Sequence, residues 1–305
     1  DALHLILRAM EIGTGDEVIV PANTYIATWL AVTYAGAKPI PVEPDERTYN
    51  IDPNRIEEAI THRTRAILPV HLYGQPADMD PIISIAKKHN LNLVGDCAQA
   101  HGSLYKGKKI AQLADITCYS FYPGKNLGAY GDAGAIVTDN DVWAEKARKF
   151  ANHGRAAKYN HEFEGVNSRM DGIQGAVLSV KLKYIEQWTE KRRRNAYLYN
   201  KLLDGLAVKT PVELDGVRAV YHLYVVRIEA AKREKFQAYL KENGIETGIH
   251  YPIALPYLQA YSYLNHSQND FPESFKSSQE IVSLPMCPQL TEEQINYVAG
   301  IIKKF

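Results

Sequence analysis

Asp80-Pro81-Ile82-Ile83-Ser84-Ile85-Ala86-Lys87-Lys88-His89-Asn90-Leu91-Asn92-Leu93-Val94-Gly95-Asp96 reads as a helix followed by a strand that ends on an acid. Aspartate and proline open the helix, since proline is tolerated in a first turn whose N–H groups have no partner. Leu91 to Gly95 is a short apolar run of strand length, and Asp96 closes it. In open α/β sheets ligands bind beyond the carboxyl ends of the strands, so an acid there is a candidate site residue as well as a candidate cap.

The same alternation extends in both directions. Residues 1–10 place Leu3, Ile6, Leu7 and Met10 at helical spacing, and the Gly13-Thr14-Gly15-Asp16 turn ends that helix. Strands follow at Val18–Val20, Lys38–Val42, Ala66–Val70, Ile116–Ser120 and Gly134–Thr138, with helices expected over Thr24–Tyr34 and after Asp52-Pro53. This pattern predicts an α/β fold with a mostly parallel sheet covered on both faces. From Ile173 to about Leu203 the spacing of Val177, Val180, Tyr184 and Trp188 predicts one long helix or two joined. Beyond it come a strand over Tyr221–Ile228, a helix over Lys232–Glu242 and a strand over Ile245–His250, a smaller α+β unit. The division expected is a large domain over residues 1–190 and a smaller one over 191–305.

Composition limits the function. The chain has 305 residues, 46% of them hydrophobic, with 35 acidic and 35 basic residues. Zero formal net charge provides no long-range field for nucleic acid or an anionic membrane, so local donors must hold any anionic ligand. Lys191-Arg192-Arg193-Arg194 follows Glu186 and Glu190 and reads as a solvated helix face. No run is long enough to span a bilayer. Cys97, Cys118 and Cys287 are too scattered for a zinc cluster; no metal is expected, and a reducing, cytoplasmic setting is. The first residues look like a helix already under way, so the numbered chain is expected to begin inside a longer protein.

The chemistry gathers around Ser120-Phe121-Tyr122-Pro123-Gly124-Lys125-Asn126-Leu127-Gly128. Lys125 stands just past a strand, among small and turn-forming residues, where an amine can form a Schiff base with an aldehyde cofactor. Ser120, at the strand end, is a candidate phosphate donor. Asp96 can pair with a protonated ring nitrogen, and Gln99, three residues on, can donate to a phenolic oxygen. His101 reads either as a neighbour of that ring or as a surface turn residue. Tyr25 follows a strand end and can lay its ring over a flat cofactor, the alternative being a core aromatic. No one pair is specific, but the set contains an electrophile anchor, a ring acid, a phosphate donor and a stacking aromatic.

These stretches, with Gly15–Pro21, Pro69–Gln75, Gly165–Asp171 and Thr247–Pro252, resemble the DegT/DnrJ/EryC1/StrS sugar aminotransferases over nearly the whole chain. The resemblance implies the aspartate aminotransferase (type I) fold, with a mostly parallel seven-stranded sheet, and pyridoxal 5'-phosphate as cofactor, passing through pyridoxamine 5'-phosphate. It assigns Lys125 to the internal aldimine and to proton transfer, Asp96 to the pyridine nitrogen, Gln99 to the phenolic oxygen, Tyr25 to ring stacking and Ser120 to the phosphate. Ala2 matches the end of a phosphate-binding turn. Asn167 matches a residue that reaches the phosphate in the partner subunit's site, implying a homodimer with shared sites. His250 and Tyr251 match a segment near the sugar nucleotide, and Arg169 a position read either as substrate contact or as an interface salt bridge. Family members often carry a second histidine where this chain has Leu255-Pro256-Tyr257.

The implied reaction is transamination of a nucleotide-linked keto sugar with glutamate as donor. The segments around Asn167 and His250 look most like members acting on dTDP-3-keto-6-deoxyhexoses, with a 4-keto sugar on dTDP or UDP as the alternative. Two rivals remain: a sugar dehydratase, which has histidine where Lys125 stands, and a non-catalytic regulatory homologue.

Overall fold

The computed structural model describes residues 1–305. Helix α1 (Ala2–Ala9) leads into strand β1 (Glu17–Pro21), α2 (Ile26–Tyr34) and β2 (Lys38–Val42). Two short 3-10 turns then precede β3 (Thr64–Ile67), α3 (Met79–Lys88), β4 (Asn92–Asp96), β5 (Ile116–Ser120) and β6 (Gly134–Thr138). The six strands form one sheet in the order β2-β1-β3-β4-β5-β6, parallel throughout except for β6, which runs antiparallel to β5. Each strand corresponds to one apolar run of the sequence. The seventh strand implied by the resemblance has no counterpart here, because no other segment of this chain pairs with β2 or β6 at the sheet edges.

Side chains alternate across β1 and so feed two cores. Val18 and Val20 pack with Trp29, Leu68, Val94 and Ile116 on one face, while Ile19 packs with Val42, Ile67, Leu93 and Cys97 on the other. Covering both faces explains why these strands read as continuous apolar runs. No helix is long and apolar enough to cross a membrane.

After α4 (Asp141–Phe150), capped by Asn140 Oδ1 accepting from the Trp143 N–H at 3.1 Å, the chain enters α5 (Gly172–Leu182) and α6 (Ile185–Leu203). The long helical stretch is therefore two helices, interrupted at Lys183 and Tyr184. A third core forms between α6, α7 (Ala230–Glu242), α9 (Glu292–Ile302) and the antiparallel pair β7 (Tyr224–Arg227) and β8 (Ile281–Leu284). The strand expected over Ile245–His250 is reduced to a single bridge between Gly248 and Ser283.

The basic run departs from its expected solvated face. Arg192 is buried and donates to the carbonyls of Tyr221, His222 and Met286 at 3.0, 3.3 and 3.2 Å. Arg193 donates to Glu213 at 2.6 Å and to the Ala219 carbonyl at 2.7 Å. Turn carbonyls without sheet partners need donors, and arginine's fork supplies several at once.

The C-terminal part is tied to the sheet by buried charge. Glu43, just past β2, accepts from the N–H groups of Glu273 and Ser274 at 2.7 and 3.0 Å and from Ser274 Oγ at 2.7 Å. It thereby caps α8 (Pro272–Glu280) from outside, where a negative charge suits the helix dipole. Arg227 pairs with Glu273 and Glu280, each at 2.8 Å, and donates to the Glu46 carbonyl.

Candidate active site

The site lies at the carboxyl ends of β4 and β5, where the parallel order brings Asp96 beside Cys118 and leads directly into Ser120. Asp96 is held from both sides, its N–H donating to Pro69 O and its carbonyl accepting from the His71 N–H, both at 3.0 Å. Its carboxylate is buried and carries three donors: Thr28 Oγ1 to Oδ2 at 2.9 Å, and the Ala98 N–H at 3.0 Å and Cys118 Sγ at 4.0 Å to Oδ1. The acid is thus both a turn cap and a charge facing the site. Burial pushes its pKa up, while the Ala98 and Thr28 bonds and the charge of Lys125 pull it down.

Beyond β5 the chain doubles back. Ala129 N–H donates to Phe121 O at 2.7 Å, and Lys125 N–H to Tyr122 O at 2.8 Å. Gly128 permits this fold, since a Cβ there would lie 2.3 Å from the Pro123 carbonyl oxygen. The loop presents Lys125 partly buried, within electrostatic reach of Asp96. Burial lowers the amine's pKa, and Asp96 opposes that. Ser120 Oγ accepts from the Tyr122 N–H at 3.3 Å. Gly134 pairs with Ser120 across β5 and β6, and the Ala2 Cβ lies 3.6 Å from where a Gly134 Cβ would stand. Ala2 and the first turn of α1 therefore sit at the same strand end as Ser120.

Tyr25 is not a core aromatic: it precedes α2 in extended conformation and is 53% exposed. Its ring lies 5.5 Å from that of Tyr251, tilted by 36°. Gln99 is buried, with Oε1 accepting from the Tyr73 N–H at 2.6 Å and Nε2 donating to Tyr251 Oη at 3.1 Å. This orientation leaves one hydrogen of Nε2 free. His250 lies in the same cluster, its Nδ1 2.8 Å from Ser283 Oγ and its carbonyl accepting from Tyr73 Oη. His101 is buried against Tyr119 and Phe121, not in a surface turn.

Ala2, Tyr25, Asp96, Gln99, Ser120, Lys125, His250 and Tyr251 thus gather around the ends of β4 and β5. Asn167 and Arg169 do not join them. Asn167 is exposed and bridges to Asn152, and Arg169 is exposed with its guanidinium 3.3 Å from Asn152 Oδ1. Arg169 therefore makes no salt bridge in this chain, and both residues are presented outward. Thr28 and Tyr73, which hydrogen-bond Asp96 and Gln99, join this cluster, and the sequence reading missed them. Thr28 had a signal: it lies one helical turn beyond Tyr25, where a strand-end acid needs a donor.

The residues fit a flat, anionic aldehyde cofactor. A buried carboxylate suits a protonated ring nitrogen, an amine with lowered pKa suits Schiff-base chemistry, and the exposed Tyr25 face suits a planar ring.

The family model of the DegT/DnrJ/EryC1/StrS aminotransferases matches residues 1–303. The chain is 49% identical over 305 residues to the dTDP-3-amino-3,6-dideoxy-alpha-D-galactopyranose transaminase of Aneurinibacillus thermoaerophilus, covering 100% of this chain and 83% of that one. It is 47% identical over 308 residues to the pleiotropic regulatory protein of Geobacillus stearothermophilus, covering 100% and 82%. The crystal structure of S. venezuelae DesV in complex with a ketimine intermediate is similar with a TM-score of 0.97 at 43% identity, covering 100% and 82%. Solved structures of similar fold include PLP and PMP forms. The chain belongs to the DegT/DnrJ/EryC1/StrS aminotransferase family, whose cofactor is pyridoxal 5'-phosphate.

Proposed function

We propose that this protein transfers an amino group from glutamate to the 3-keto carbon of a dTDP-linked 6-deoxyhexose. The observation that carries the reading is a buried, hydrogen-bonded Asp96 at the end of β4, paired with the β5 strand that leads through Ser120 into the Lys125 loop. When bound, pyridoxal 5'-phosphate supplies an aldehyde for amine exchange and a protonated ring that takes up negative charge from the donor carbon. Asp96 would accept from the ring nitrogen and keep it protonated. With the cofactor bound, Lys125 Nζ would hold and move the proton of the donor α-carbon, as base and then acid. The free Nε2 hydrogen of Gln99 would serve the phenolic oxygen, and Tyr25 would cover the ring. Ser120 Oγ and the first turn of α1 at Ala2 hold the phosphate, the helix end adding favourable partial charge.

Asn167 completes the phosphate site of a second copy, so the working unit is a homodimer with shared sites. The outward position of Asn167 and the exposed apolar side chains of Val166, Met170 and Ile173 beside it support this. His250 and Tyr251 line the nucleotide-sugar side, and Arg169 reaches substrate from the partner's side. The division into residues 1–190 and 191–305 places the cofactor mostly on the first. Three free cysteines support a cytoplasmic setting.

Names of relatives support the substrate class, among them the dTDP-3-amino sugar transaminase of A. thermoaerophilus. The regulatory name of another relative favours a second reading, a non-catalytic homologue. Purified protein loaded with cofactor and given glutamate should release 2-oxoglutarate with a dTDP-3-keto-6-deoxyhexose. Release only with a UDP-4-keto sugar would replace the acceptor, and release with neither would favour the regulatory reading.

A further inference from the structure

Tyr73 stands in backbone that a tyrosine rarely adopts. Its φ is 58°, in the left-handed region, and Gly74 after it has φ 99°. Such a conformation is unfavourable for a bulky residue and persists where surrounding contacts over-determine it. Four contacts do so here. The Tyr73 N–H donates to Gln99 Oε1 at 2.6 Å, its carbonyl accepts from the Leu223 N–H at 3.3 Å, its ring meets that of Tyr49 edge-on at 5.4 Å, and its hydroxyl donates to the His250 carbonyl.

Two of these partners belong to the site, and they come from different parts of the chain. Gln99 follows β4, whereas His250 lies 177 residues beyond Tyr73. No other donor in the protein reaches either Gln99 Oε1 or the His250 carbonyl oxygen. The bond on Oε1 leaves the nitrogen end of the amide to face Tyr251, and Gln99 Nε2 donates to Tyr251 Oη at 3.1 Å. Because Tyr251 follows His250, this third bond closes a circuit through Tyr73, Gln99 and the His250–Tyr251 segment. On its other side the segment is held by β8, with His250 Nδ1 2.8 Å from Ser283 Oγ and Gly248 bridged to Ser283. Of the hydrogen bonds made by His250 and Tyr251, those from Tyr73 and Gln99 are the two that reach the sheet side. Burial, reinforced by Tyr49 and Tyr251 and opposed by the Asn23 amide, holds the Tyr73 phenol well above its ordinary pKa, so it stays a donor.

We propose that Tyr73 is a positioning residue for the nucleotide sugar: anchored on Gln99 by its backbone N–H, it holds the His250–Tyr251 segment in place against the cofactor side through its hydroxyl. The inference rests on the placement of His250 and Tyr251 beside the nucleotide sugar in the function proposed above, and not on which sugar is aminated.

Tyr73→Phe removes the hydroxyl and leaves the backbone N–H on Gln99, so the two half-reactions should part. The KM for the dTDP-3-keto-6-deoxyhexose should rise about tenfold, the worth of one hydrogen bond. Single turnover with glutamate alone, followed by cofactor absorbance, should keep the parental rate, whereas a loosened fold would slow both. In hydrogen exchange read by mass spectrometry on the cofactor-loaded protein, the peptide over residues 248–252 should exchange about tenfold faster in Tyr73→Phe, and the peptide over 96–101 at the parental rate. Tyr251→Phe opens the same circuit at Gln99; it serves as the exchange test where Tyr73→Phe fails to fold, and the double variant should raise KM by less than the product of the single effects. Parental exchange over 248–252, equal losses in the two half-reactions, or single effects that multiply would overturn the proposal. A protein that aminates no nucleotide sugar yet shows the faster exchange confined to 248–252 would refute the acceptor assignment and leave the Tyr73 anchor standing.

Discussion

Replacing Thr28 with valine removes one hydroxyl and nothing else of consequence, because the two side chains have nearly the same shape. Thr28 and Asp96 are 1% and 5% exposed, so water cannot substitute for the lost donor. The bond is 2.9 Å long, and Thr24 Oγ1, 3.2 Å from Thr28 Oγ1, is positioned to donate into the same chain. A hydrogen bond to a charged group is worth about 1.5 to 3 kcal/mol. Its loss should weaken the ionised form of Asp96 by roughly ten- to a hundredfold, since 1.4 kcal/mol is a factor of ten. Less charge on Asp96 means less protonation of the cofactor ring, so the donor half-reaction should slow by a similar factor. Single-turnover absorbance measurements with glutamate, beside urea unfolding of the cofactor-free protein, separate the two effects. A Thr28→Val protein that is less stable but turns over within twofold of the parent would show that Asp96 acts as a turn cap and not as the ring's partner.

Three other outcomes follow from the same geometry. Lys125→Ala should keep the fold by circular dichroism but lose the visible absorbance band of the lysine-bound cofactor and all turnover; retained turnover would remove Lys125 from the mechanism. Gly128→Ala should abolish cofactor uptake, since its Cβ would meet the Pro123 carbonyl oxygen at 2.3 Å and open the loop that carries Lys125; equilibrium titration with cofactor reads this, and parental affinity would contradict it. His71 is buried with Nδ1 accepting from the Ala77 N–H, and burial lowers its pKa to about 3. A base with a depressed folded pKa contributes stability that is complete above its unfolded pKa of about 6.5 and is lost as pH falls toward 3, so going from pH 7 to pH 5 should cost about 2 kcal/mol. Urea unfolding at the two pH values should show this loss in the parent and a smaller one in His71→Leu; equal losses would remove His71 as the cause.

The sheet was legible because each strand is a short apolar run, the central ones buried on both faces, and the acid, hydroxyl and lysine were legible because they stand at or just past the ends of such runs. Residues 221–227 and 245–250 were harder, since aromatic and β-branched composition does not say which part pairs. Tyr224–Arg227 became a strand, while Gly248 kept one bridge to Ser283. Arg192 looked like a solvated charge because charge patterning reveals helix faces but not carbonyls brought from 29, 30 and 94 residues away in the chain. The contact of His222 with Asn126 was hidden for the same reason, since the two meet only after the sheet and the C-terminal part come together. Long-range pairings of this kind leave no local periodicity.

Glu43 and Arg227 carry a consequence for how the molecule comes apart. Separating residues 1–190 from 191–305 would strip α8 of the carboxylate that caps it, strand Glu43 without its donors, and leave the Glu46 carbonyl without the Arg227 guanidinium. It would also divide one core, since Val225, Leu255, Tyr261 and Ile281 pack in the same cluster as Trp29 and Val94. The two parts therefore have a common stability, and heat or denaturant should melt them in one cooperative step.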